Sequence, residues 1–174
     1  MEYIRKATPA DAERIRFIAE QCWWLASRDM ETQKKIEQTI NDLYSHVKLT
    51  NEINNHISIF LLVIDGDLAV AFISYTFKSD NVIACEINAL YCLPETQGKR
   101  FDELLINELI KNTIAAGGTK IFVVLTNYSG PVALFERLGF KSLKTNDPKN
   151  LEYEVLVMSK NLGASLSKRV DTGD

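Results

Sequence analysis

The sequence predicts one mixed domain, α/β in the α+β sense, and three observations predict it. Apolar runs of strand character alternate with segments of helical periodicity, in the order strand, helices, three strands, helix, strand, helix, two strands. The three central strands follow one another through short turns, which reads as an antiparallel meander. With 174 residues, 46% of them apolar and 25% charged, the chain can bury one core, and it carries neither an internal repeat nor a low-complexity linker. Residues 1–162 read as that domain. The Ser/Gly/Lys/Asp-rich stretch from Gly163 to Asp174 reads as a mobile tail.

The elements follow in order. Tyr3 to Lys6 is a short extended segment, and Thr8-Pro9-Ala10-Asp11 is a helix start with a capping residue, a proline at the first position and a carboxylate that reaches back. Ile15, Phe17, Ile18, Cys22, Trp23 and Leu25 carry that helix to about Ser27. Ile36, Ile40, Leu43, Tyr44 and Val47 mark one or two further helices between Glu31 and Asn55. The run Ile57 to Ile64 is a strand, Asp65-Gly66-Asp67 a hairpin turn, and Leu68 to Phe77 the returning strand. A turn over Lys78 to Asn81 leads to a third strand from Val82 to Leu93. Leu105, Leu109, Ile106, Ile110 and Ile114 predict a helix over Phe101 to Ala116, closed by Gly117-Gly118. Lys120 to Thr126 is a β-branched strand, Pro131 to Leu138 a short helix ended by Gly139, and Phe140 to Leu143 with Glu152 to Met158 a last pair of strands around a polar loop containing Pro148.

Charge and composition exclude several functions. A net charge of −3 supplies no basic surplus for a phosphate backbone, so nucleic acid is not expected as a partner. The start MEYIRKATPADAERI reads as neither a signal peptide nor a membrane anchor, and a cytoplasmic enzyme is expected. Cys22, Cys85 and Cys92 fit no ligand spacing and read as reduced thiols; His46 and His56 fit no hydrolase or metal pattern, and no metal is expected.

Two motifs go further. Glu86-Ile-Asn-Ala-Leu-Tyr-Cys-Leu-Pro-Glu-Thr-Gln97-Gly-Lys is similar to the central strand and coenzyme loop of the GNAT acetyltransferases, E-x-x-x-L-Y-V-x-P-x-x-Q-G-K-G-x-G. PVALFERLGF, Pro131 to Phe140, resembles the helix of that superfamily that ends in Y-E-K-L-G-F. With the opening IRKATPADAERI and the strand holding Val157 and Met158, the resemblance runs from Ile4 to about Leu162. It implies the GNAT fold, a mixed and mostly antiparallel twisted sheet of six to seven strands flanked by helices. It implies an acyltransferase that moves an acetyl group from acetyl-CoA, its cosubstrate, to a primary amine of a small molecule or peptide.

The same resemblance implies site residues. The central strand would offer backbone groups of Leu90, Tyr91 and Cys92 to the thioester and pantetheine, and the loop Gln97, Gly98, Lys99, Arg100, Phe101 and Asp102 would offer amides to the diphosphate. Both later small residues of the family's Q-x-x-G-x-G/A are missing, replaced by Arg100 and Asp102. Asp102 also reads simply as a good helix-start residue, and Lys99 and Arg100 as solvated surface charges. Glu86 is the candidate base, acting directly or through water, with an exposed strand glutamate as the plain alternative. The tyrosine that would protonate the thiolate falls on Phe135, in contact with the coenzyme but without a proton to give; Tyr128 or Tyr91 could substitute. Asn127 is either a pantetheine contact or a turn residue. Acceptor specificity is expected from Trp24, the stretch Glu31 to Asn41 and Tyr44, with core or partial burial as the plainer reading of Trp23 and Trp24. A GNAT-fold acyl-CoA-binding or regulatory module without efficient catalysis is the alternative reading, and a structural protein that dimerises through a sheet edge is a third.

Overall fold

The computed structural model describes residues 1–25, 30–79, 83–126, 132–143 and 155–163. One seven-stranded sheet organises them, in the order β1-β2-β3-β4-β5-β7-β6. The strands are β1 (Glu2–Lys6), β2 (Ile59–Asp65), β3 (Leu68–Ser79), β4 (Ile83–Cys92), β5 (Lys120–Thr126), β6 (Lys141–Leu143) and β7 (Val155–Asn161). All neighbours run antiparallel except β4 and β5. The helices are α1 (Ala12–Leu25), α2 (Met30–Tyr44), α3 (His46–Asn54), α4 (Phe101–Ala115) and α5 (Val132–Arg137). A parallel pair needs a crossover, and α4 supplies it.

The predicted order of elements holds, with local differences. The polar stretch after α1 is two helices, parted at Ser45, whose extended backbone (φ −64°, ψ 148°) breaks the helical path. A 3₁₀ turn over Pro9–Asp11 precedes α1, with the Thr8 amide donating to the Asp11 carboxylate at 2.7 Å. Arg5 clamps the same carboxylate at 2.8 and 2.7 Å. The described end of β7 is Asn161, three residues past the apolar run, because β5 pairs with it along its whole length. Helix α4 ends one residue early, and Gly117 (φ +78°) takes the left-handed turn that closes it. Pro131, Pro148 and the tail from Ala164 onward lie outside the described residues.

Each face of the sheet buries its own apolar layer. On one, α4 and α5 pack Leu105, Leu109, Leu134 and Phe135 against Tyr75, Cys85, Ile87 and Ile121. On the other, α1, α2 and α3 pack Ile15, Ile18, Ile40 and Leu49 against Phe60, Leu62 and Phe72. One irregularity in β4 links the layers to the site. Ser74 faces Ala89 and Tyr75 faces Ile87, so Asn88 is an extra residue, a β-bulge. The bulge reverses the alternation: Cys85 and Ile87 lie in the α4 layer before it, Leu90 and Cys92 after it, while Ala89 and Tyr91 turn to the helices of the other face.

Candidate functional site

Strands β4 and β5 pair only between Ala84–Ile87 and Lys120–Val123, although β4 runs on to Cys92 and β5 to Thr126. Past the bulge, β4 remains bonded to β3, with Leu90, Tyr91 and Cys92 opposite Ile73, Phe72 and Ala71. In an antiparallel pair alternate residues turn their peptide groups outward, so this stretch offers N–H and C=O groups to the gap where β5 has left. The gap leads to a cavity of about 400 Å³ lined by Cys22 and Leu25 from α1, by Cys92 and by the loop that follows, including Gln97, Gly98, Arg100, Phe101 and Asp102.

Within that loop the residues divide. Gly98 has φ +88° and Arg100 has φ +56°, so Arg100 holds the left-handed conformation that the glycine of the family pattern would take without strain. Arg100 caps α4, and the first intrahelical bond runs from the Leu104 amide to its carbonyl at 3.2 Å. The amides of Phe101, Asp102 and Glu103 therefore precede the helical ladder. Asp102 takes one of them with its own carboxylate, 2.9 Å from the Glu103 amide. Lys99 points the other way, to Asp65 at 2.6 Å and Glu2 at 3.4 Å, and its amide donates to the Thr96 carbonyl at 3.0 Å. The side chain and amide of Lys99 are thus engaged away from the cavity.

Phe135, expected at the coenzyme, is a core residue: 1% exposed and stacked edge-on against Phe140 at 5.1 Å. A ring so enclosed has no free surface for a ligand, so its place in the motif reflects packing. Tyr91 is drawn into an aromatic cluster, its hydroxyl accepting from Trp23 Nε1 at 2.8 Å and hydrogen-bonded to Tyr44. It thereby faces away from Leu90 and Cys92, and burial raises its pKa. Asn127 and Tyr128 lie outside the described residues.

Glu86 stands on the α1–α3 face, opposite Thr76, with its side chain 28% exposed and 3.1 Å from Lys78 Nζ. Beyond it on the same face, a cavity of about 290 Å³ opens between the sheet and the α2–α3 junction. Tyr44, Lys48 and Glu52 line it from the helices, with Ser74, Thr76, Asn88 and Ala89 from the sheet and Ser58 from the segment before β2. A separate cavity of about 360 Å³ lies between α1 and α2, where Trp24, Glu37 and Asn41 meet Arg16 and Glu20. It contains no residue of β4. The expected acceptor residues thus split between two cavities, and only the one holding Tyr44 reaches the bulge. The polar residues Ser58, Ser74, Thr76 and Asn88 were not legible as site residues, since no local pattern links them.

The thiols are held protonated. Burial pushes Cys22 up to about 11 and Cys92 to about 12, and Cys22 donates to the Cys92 carbonyl at 3.2 Å. Cys85, buried in the core, is likewise raised to about 12. Among the described residues no group of three or more His, Cys, Asp or Glu is placed to hold a metal, and no helix is long and apolar enough to cross a membrane.

Comparison with known proteins meets this geometry. Residues 18–140 match the model of the acetyltransferase (GNAT) family. No match was found among curated proteins. Among solved structures, PaiA N-acetyltransferase from Thermoplasma acidophilum, in complex with coenzyme A, superposes with a TM-score of 0.78 at 24% identity, covering 92% of this chain and 99% of that one. The ribosomal-protein-S18-alanine N-acetyltransferase from Escherichia coli gives 0.68 at 13% identity over 93% and 94%. An aminoglycoside 6′-N-acetyltransferase complexed with coenzyme A gives 0.68 at 15% identity over 91% and 96%. At these identities the likeness is one of fold.

Proposed function

The chain belongs to the acetyltransferase (GNAT) family, and on that premise we propose that it transfers the acetyl group of acetyl-CoA to a primary amine of a small molecule or peptide. The observation that carries the reading is the parting of β4 from β5 after Ile87, beside the cavity at the start of α4. An extended pantetheine arm suits that gap, because it can pair with the outward peptide groups of Leu90 to Cys92 as a strand would.

The acceptor is assigned to the cavity that reaches Asn88 and Ala89, since an amine there lies against the bulge, on the face that carries Glu86. Glu86 takes the proton from the ammonium, directly or through one water, and Lys78 holds the carboxylate until then. The free amine attacks the thioester carbonyl and outward N–H groups of β4 receive the developing oxyanion; as the C–S bond breaks, the second proton of the nitrogen passes to the departing thiolate, so that coenzyme A leaves as the thiol. A thiol with a pKa of about 8.5 leaves without much help from an acid, so the absence of a tyrosine at Phe135 is tolerable. The protonated state of Cys22, Cys85 and Cys92 favours direct transfer over an acyl-cysteine relay. A cytoplasmic setting remains part of the proposal.

A weak-binding module is the second reading, favoured by Asp102, whose carboxylate occupies the Glu103 amide at the place meant for a diphosphate. Calorimetric titration with acetyl-CoA, followed by amine-dependent thiol release, separates the two. Micromolar binding with turnover supports the transferase, binding without turnover on a broad amine panel supports the module, and no binding refutes both.

A further inference from the structure

Glu103 lies in the first turn of α4 between two arginines that come from different elements. Arg100 Nη2, from the loop, is 2.6 Å from Glu103 Oε2, and Arg137 Nη2, at the end of α5, meets Glu103 Oε1. The carboxylate is well covered, its side chain 12% exposed, whereas Arg100 and Arg137 remain 68% and 56% exposed. Paired with Arg100 and Arg137, Glu103 has a lowered pKa and stays ionised. Asp102 also acts on Arg100, so the two guanidinium groups face two carboxylates, but Glu103 bridges them and each planar fork keeps donors free. Arg100 also lines the cavity at the start of α4.

We propose that Arg100 and Arg137 together close on a phosphate group of the coenzyme, and that Glu103 is the internal anion that holds both side chains in place until that phosphate displaces it. The inference rests on the acetyl-CoA reading above. It gives the loop a positive device in place of the two small residues it lacks: bidentate guanidinium contacts stand where close backbone approach would otherwise serve. Phosphate carries more acceptor oxygens and charge than a carboxylate, so the exchange runs toward the ligand without leaving an arginine unpaired.

The rival explanation is a plain tie between α4 and α5, and the two differ in sign. If the network is a tie, Arg137→Gln and Glu103→Gln break the same link and act in the same direction. If Glu103 is a stand-in, they act in opposite directions. Dissociation constants for coenzyme A and for dephospho-coenzyme A, measured by calorimetry on the full chain and its variants, decide the matter. Arg137→Gln is expected to weaken coenzyme A about tenfold, the scale of a lost charge-assisted contact, with Arg137→Lys recovering part of the loss. Glu103→Gln is expected to tighten it several-fold. If the Arg137→Gln effect disappears with dephospho-coenzyme A, the phosphate is the 3′ group; if it persists, the diphosphate. An unchanged dissociation constant in Arg137→Gln, or unchanged or weaker binding in Glu103→Gln, overturns the proposal. A wild-type chain that binds neither ligand refutes the acetyl-CoA reading itself. Melting temperatures show whether each variant is folded.

Discussion

The two faces of the sheet carry comparable apolar layers, yet the functional groups on them are assembled in opposite ways. Between the end of β4, the start of α4 and the end of α1, the coenzyme cavity draws most of its lining from one continuous stretch, Cys92 to Asp102. On the α1–α3 face, the proposed acceptor cavity takes residues from α2, α3, β2, β3, β4 and the segment before β2, scattered between Leu43 and Ala89. The bulge at Asn88 is where the two arrangements meet, because it turns Leu90 and Cys92 to one layer and Ala89 and Tyr91 to the other. The contrast teaches that the coenzyme side follows from a local motif, while the acceptor side exists only once the chain has folded.

That contrast can be broken from either side. The largest effect is expected in the α4 layer: Phe135→Ala should cost about 3–5 kcal/mol of stability in a denaturant titration, as an emptied aromatic site does, with no selective loss of coenzyme contact. On the other face, Glu86→Gln should lower turnover by roughly 10²- to 10³-fold while the dissociation constant of acetyl-CoA stays within about twofold, the pattern of a lost base. Equal losses in both constants would make Glu86 structural.

Acid probes the start of the α1–α3 face. The Arg5 guanidinium holds the Asp11 carboxyl at about 2, below its ordinary 3.8. The folded state thus keeps the carboxylate ionised longer, so the contribution is present above pH ~4 and fades as pH falls toward ~2. Asp11→Asn should remove about 1 kcal/mol at neutral pH, after screening of this partly exposed pair, and flatten that part of the pH–stability curve. Arg100→Gly should be the mildest change: relief of the left-handed backbone at φ +56° favours the fold by about 1 kcal/mol, offset in part by the lost pair with Glu103, and unfolding curves measure the balance.

How much was legible follows from the same physics. Strand and helix periods located nearly every described element, because nearly all bury a face of their own; β6, exposed along its length, is the exception. The bulge was not legible, since Glu86-Ile-Asn-Ala-Leu reads as an uninterrupted strand, and the extra residue appears only against Ser74 and Tyr75 on β3. Nor was the fate of Lys99 and Phe135: in a motif both stand beside the coenzyme, yet Lys99 is pulled to Asp65 and Phe135 into the core. Arg137 went unnoticed because its partner, Glu103, is 34 residues away in the chain.

The central claim is that acceptor and coenzyme occupy separate cavities on either side of the β4 bulge and meet there. Its most direct measurement is amine-dependent thiol release from acetyl-CoA by the wild-type chain and by Thr76→Phe, which fills the proposed acceptor cavity without touching the coenzyme cavity. The account predicts that Thr76→Phe binds acetyl-CoA as the wild type does but releases thiol at least about tenfold more slowly at low amine concentration, the scale of about 1.4 kcal/mol of lost acceptor binding. A Thr76→Phe protein as active as the wild type on every amine the wild type accepts would contradict it.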